Sequence, residues 1–172
     1  MSGVIVGDSY GGGIVAYILV NGATGYDPNV QHGLIAATAD QSAGINWSSS
    51  EFNSLSEFKA KSVATGAADT AIGTGQANTT AIVTIQGAGS YAAQLCNDLT
   101  EGGYSDWFLP SKDELNKLYI NKDAIGGFTD DVYGSSSQYN ATYSPWKQYF
   151  FDGSQFYLNL YGSSRVRAVR AF

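Results

Sequence analysis

The sequence predicts an α+β domain, and three observations carry that prediction. A capping box at Ser111-Lys112-Asp113-Glu114, with Ser as N-cap and Glu three residues on, opens a helix running to about Ile120. Apolar residues at Tyr91, Leu95 and Leu99 share one helical face and mark a second helix over Ser90–Thr100. Around these two helices lie 21 glycines, only 3 prolines and short β-branched or aromatic runs, the pattern of short strands, tight turns and long loops. At 172 residues the chain fits a single domain, 1–172, with a core of its own.

Taken in order, Gly11-Gly12-Gly13 opens an apolar run from Ile14 to Val20, Asn21-Gly22 marks a turn, and Gly33–Ala37 is a second short strand. The triple glycine lacks the Lys-Ser/Thr and the following helix of a phosphate loop, so close strand packing is its better account. Residues 41–80 are rich in Ser, Ala, Thr and Gly, with Trp47 and Phe52 as anchors and a short helix expected over Ala60–Ala71. The β-branched run Thr79–Gln86 is an extended stretch or the lead into a helix. Gly102-Gly103 ends the Ser90–Thr100 helix. Leu115, Leu118 and Tyr119 form the buried face of the capped helix, and beyond Gly126-Gly127 strands follow around Val132, at Trp146–Phe151 and at Arg165–Phe172. One local echo, Ile45–Asn53 against Val132–Asn140, is too short for a repeat architecture.

Composition narrows the function. Net charge is −6, split as −9 over residues 1–132 (five Lys/Arg, fourteen Asp/Glu) and +3 over 133–172 (four Lys/Arg, one Asp). Such a chain has no basic cluster for nucleic acid, and the alternation of Arg165, Arg167 and Arg170 reads as a strand. No apolar run reaches the ~18 residues of a membrane span, so no membrane insertion is expected. The N-terminus has no basic region or signal-peptide core, so export by the ordinary route is not expected. Location is otherwise undetermined, with virion association or surface display by another route both compatible. Cys96 is the only cysteine and sits in an apolar pattern, which suits a buried, inert thiol. His32 is the only histidine, so a metal cluster or a Ser/His/Asp site lacks the parts, and no cofactor, metal or catalytic residue is expected. Asp106, Asp113 and Glu114 are accounted for by helix capping and by pairing with Arg165 or Arg167.

The C-terminal part points instead to binding. Tyr133–Phe172 holds eleven of the chain's 23 aromatics, set among Ser, Asn and Gly. Tyr gives large contact area at small entropic cost while small polar residues adapt, which is the composition of binding loops. The candidate ligand-binding residues are Tyr143, Tyr149, Phe151, Asp152, Ser154, Phe156, Tyr157, Leu158, Asn159, Leu160, Tyr161 and Gly162, with the aromatics and leucines expected to line one surface. Phe150 and Trp146 are candidates for burial, and Phe172 for anchoring the last strand. The partner is expected to be a protein or cell-surface ligand, bound by a monomer or small homo-oligomer.

The stretch Gly103-Tyr104-Ser105-Asp106-Trp107-Phe108-Leu109-Pro110-Ser111-Lys112-Asp113-Glu114-Leu115 resembles bacterial and phage domains related to the C-terminal domain of Legionella collagen-like adhesins. Gly7–Gly13, Gln31–Ala37, Ser135–Ser137 and Arg165–Phe172 support it. The resemblance implies a C-type-lectin-like fold of the formylglycine-generating-enzyme subtype. Many variable proteins of diversity-generating retroelements have this form, with a hypervariable segment before the Arg-Val-Arg-Ala-Val-Arg ending, here about residues 139–164. Adenine mutagenesis turns Asn codons into NNC or NNT codons, and every residue from Phe156 to Ser164 is on that menu. Trp146, Lys147, Gln148 and Gln155 are not, which marks them as scaffold. Two departures matter. Gly134 and Gln138 stand where the family commonly has Trp and Glu, and the calcium motifs of true C-type lectins are absent, so calcium-dependent sugar binding is not implied. The related formylglycine-generating enzymes use a cysteine pair, which this chain lacks. The resemblance therefore implies a retroelement-diversified ligand-binding protein; the alternative is a fixed-specificity adhesin domain binding glycan or extracellular polymer.

Overall fold

The computed structural model describes residues 3–49, 65–139, 144–157 and 162–172. Those residues form an α+β architecture of two sheets and four helices. The first sheet has the order β1-β2-β3-β9, all antiparallel: β1 is Ser9–Tyr10, β2 Gly13–Ile18, β3 Gly33–Ala36 and β9 Val169–Ala171. The second has the order β4-β8-β5-β6-β7, from β4 (Ser42–Ile45), β8 (Ser164–Val166), β5 (Val132–Tyr139), β6 (Ser144–Tyr149) and β7 (Gln155–Tyr157). It is antiparallel except where β5 meets β8, at Tyr133 and Arg165.

The glycines at 11–13 serve close packing, as expected. Gly12 has φ +86° in the β1–β2 turn, and a Cβ on Gly13 would come within 2.2 Å of the Ala36 carbonyl oxygen. Phe172 anchors the last strand through two backbone bonds with Gly33, and its ring meets Tyr10 edge-on at 5.4 Å.

The helices are α1 (Gly75–Gln86), α2 (Ala92–Asn97), α3 (Lys112–Ile120) and the single turn α4 (Lys122–Ile125). Two were expected, and the sequence reading needs two corrections. Thr79–Gln86 is the last two thirds of α1, whose first turn was missed because Gly73 and Gly75 lower helix propensity. Gly75 is there for a tertiary reason: a Cβ would lie 2.2 Å from Glu114 Oε2 and 2.8 Å from the Phe108 ring. Of the helix expected at Ala60–Ala71, residues 65–71 are not helical and 60–64 lie outside the described residues, as does Phe52. The echoed stretches differ in structure, since Ser135–Ser137 lies in β5 and Trp47-Ser48 in a bend; they touch where Trp47 Nε1 donates to the Ser135 carbonyl at 3.0 Å.

Two hydrophobic clusters hold these layers together. One joins α1 and α2 to the chain before α3, through Ile82, Tyr91, Cys96, Trp107 and Leu109 with Trp47 and Val166. The other packs Leu115 and Leu118 of α3 against Leu34, Phe108, Tyr133, Phe150 and Val169. Each face is apolar because α3 repeats its leucines at helical spacing while the strands alternate. Glu114, fully buried, closes the capping box on the Ser111 amide and also accepts from the Gly73 amide, tying the loop before α1 to the start of α3. Its pKa is raised by burial, a push that those amide donors oppose.

Candidate binding face

The positive charge of the C-terminal region is consumed by the scaffold. Arg167, 1% exposed, donates to the Asp40 carboxylate and to the carbonyls of Ala37, Gly126 and Gly127, with its guanidinium 4.1 Å over the Phe128 ring. Arg165 bridges Asp40 and Asp131. Asp106 pairs with Arg170, not with Arg165 or Arg167 as the sequence suggested, through a two-pronged contact of 2.7 and 2.9 Å. That hydrogen bond holds the Asp106 carboxyl below the ordinary range. Asp113 lies 3.7 Å from the Lys112 ammonium at the start of α3. All three arginines are thus committed inside the fold.

Exposure returns at the end of β6, the β6–β7 turn and β7, the last of these at the edge of the second sheet, while β5 beside them is largely buried. The β6–β7 register sets Trp146 opposite Tyr157, Lys147 opposite Phe156 and Gln148 opposite Gln155. Alternation then sends Trp146, Gln148, Gln155 and Tyr157 to one face and Lys147, Tyr149 and Phe156 to the other. On the first face Gln148 donates to the Asn116 side chain and Gln155 to the Lys112 carbonyl, so α3 covers that end. Beyond α3 the same face carries an aromatic group. Tyr139 and Tyr157 stack at 4.1 Å, Trp146 meets both edge-on, and the Lys112 ammonium lies 4.9 Å from the Trp146 ring centre. On the opposite face Tyr149 and Phe156 pair at 4.7 Å.

The twelve candidate residues therefore divide. Tyr149 (43% exposed), Phe151 (74%) and Tyr157 (41%) are open to solvent, Phe156 is half-buried, and Asp152, Ser154 and Gly162 are exposed. Tyr143, Leu158, Asn159, Leu160 and Tyr161 lie outside the described residues. The single aromatic surface expected from the sequence becomes two faces joined at the β6–β7 turn, because Phe156 and Tyr157 are consecutive in a strand. Phe151 crowns that turn, and Asp152 shapes it by accepting from the Ser154 amide and hydroxyl, contacts that lower its pKa. Phe150 is fully buried as expected, whereas Trp146 is only half-buried, and Tyr139 was not among the candidates at all. The signal that could have found both is cross-strand pairing, which needs a register that the sequence does not state.

Lys147 is 4% exposed, and its ammonium donates to the Gly162 carbonyl. Burial pushes its pKa down. His32 sits beside the last strand with Nδ1 3.1 Å from the Phe172 carbonyl oxygen. Among the described residues no group of three or more His, Cys, Asp or Glu could hold a metal ion, and no helix is long and apolar enough to cross a membrane.

These features define an α+β domain that presents an aromatic ribbon on a scaffold held by three arginines paired with aspartates, of which the Arg167–Asp40 pair is buried. The model of the Lcl C-terminal domain family matches residues 36–170, and the chain belongs to that family. Membership suggests an adhesin-like, binding function. No curated protein matches the chain.

Proposed function

We propose that this domain is a ligand-binding protein of C-type-lectin-like fold, without catalytic function, whose β5-β6-β7 ribbon and its adjoining segments recognise a protein or cell-surface target. The observation that carries this reading is the exposure of Tyr149, Phe151 and Tyr157 on an edge ribbon whose neighbours are locked. Large aromatics held on a rigid frame are the usual source of binding hot spots. The arginines, being committed to Asp40, Asp106 and Asp131, leave recognition to aromatic and small polar groups.

The segment of about 139–164 is, on this reading, diversified by a retroelement. Its support is that the exposed positions Phe151, Asp152, Ser154 and Tyr157 are all on the NNC/NNT menu, while the inward Lys147, Gln148 and Gln155 are not. Sequencing the locus tests it. A nearby near-repeat of the coding DNA for residues 139–164, differing only at adenines and accompanied by a reverse-transcriptase gene, is the expected result. Absence of both overturns diversification and favours the second reading, an adhesin of fixed specificity for glycan or extracellular polymer, which family membership supports.

A further inference from the structure

We propose that Lys147 is a positioning residue that fixes the point where the binding segment rejoins the scaffold, with Gly162 kept bare beside its ammonium and Gly134 kept bare against Ser164 of β8. This rests on the reading of the preceding residues as the binding segment. Lys147 lies in β6 between Gly134 of β5 and Phe156 of β7, all three on one face. Its ammonium reaches the carbonyl of Gly162, two residues before β8 begins. Each glycine is packed where a side chain would intrude. A Cβ on Gly162 would lie 3.0 Å from the Lys147 Nζ, and one on Gly134 would lie 2.6 Å from the Ser164 hydroxyl.

Gly134 is thus the β5 residue set directly opposite the lysine. A buried ammonium would be a poor choice for filling space, since its desolvation is costly and an apolar side chain would pack without that cost. Its use here is directional: a strong charged donor aimed at one carbonyl. Gly162, although exposed and on the codon menu, then belongs to the fixed frame. Display ends before it.

The test is amide hydrogen exchange over residues 162–164 in the whole chain, which needs no ligand and so stands apart from any failure of the binding reading. Lys147→Met keeps the stem and removes the donor. Loss of one charged hydrogen bond is expected to raise exchange there about tenfold or more, with β2, β3 and α3 unchanged. Gly162→Ala is expected to do the same in the parent chain and to add nothing in the Lys147→Met background, since both act on one contact. Unchanged exchange at 162–164, a uniform rise across the fold, or additive effects of the two substitutions would overturn the proposal. If Lys147→Met does not fold, Gly162→Ala alone decides, a local rise supporting the clamp and no change sinking it.

Discussion

Truncating Arg167 would remove one of the two arginines on the Asp40 carboxylate, itself only 12% exposed, leaving it to Arg165 and the Tyr133 hydroxyl, and would leave three carbonyls without that donor. Removing one partner of a buried pair typically costs about 3–5 kcal/mol. Arg167→Met is therefore expected to lower unfolding free energy by that order in urea titration. Asp40→Asn should cost less, because the guanidinium keeps its carbonyls and Phe128. Cys96 makes a second residue-scale prediction. It is fully buried, and burial pushes its thiol pKa far up, so a thiol reagent should label it only as the chain unfolds. Acid response follows from two carboxyls with opposite signs. Asp106 is held low by Arg170, so its contribution is present above the ordinary carboxylate range and is lost as pH falls through its lowered folded pKa. Glu114 is raised, so the stability its protonation brings is fully present below the unfolded pKa and is lost as pH rises through the folded one. Asp106→Asn should flatten the acid limb of stability against pH, and an unchanged limb would show that the Arg170 pair contributes nothing.

At the scale of elements, α3 was legible because its signals are local. Ser111, Glu114 and the leucine spacing lie within one helix, and the structure returns the capping box they imply. Ser111→Ala should cost about 0.5–2 kcal/mol by thermal or urea denaturation. It should fall at the upper end, since the hydroxyl also donates to the Ala71 carbonyl at 2.9 Å. The start of α1 was illegible because Gly75 answers to Glu114 and Phe108, some thirty to forty residues away, and propensity cannot register that. The aromatic ribbon was legible in composition but not in geometry. Tyr149, Phe151 and Tyr157 were named from the sequence, whereas the Tyr139-Trp146-Tyr157 group depends on β5, β6 and β7 lying side by side. The Arg-Val-Arg-Ala-Val-Arg ending was legible as a strand, yet it forms two: β8 joins one sheet and β9 the other, with Arg167 and Ala168 between them.

For the molecule as a whole, frame and display should separate in their tolerance of change. Phe151→Ser, at the exposed turn, should move stability by no more than about 0.5 kcal/mol in thermal denaturation. Phe150→Ala, one residue earlier but packed against Tyr119, Phe128 and Tyr133, should cost about 3–5 kcal/mol. Comparable losses from both would mean that the ribbon is ordinary core and not a presentation surface.

The pairing of β3 with β9 has a kinetic consequence. Residues 34–36 pair on one side with β2, but their other edge finds its partners only at 169–171, so the first sheet stays incomplete until those residues have been made. Contacts that distant in sequence slow folding, because a large loop must close before they form. The loop that closes here contains all of residues 139–164, the proposed binding segment. Each newly synthesised copy must therefore accommodate residues 139–164 before the clasp of Arg167 and Arg170 can shut. A segment that folds back into the interior would delay closure of that sheet, and the clasp would act as a proofreading step for foldability.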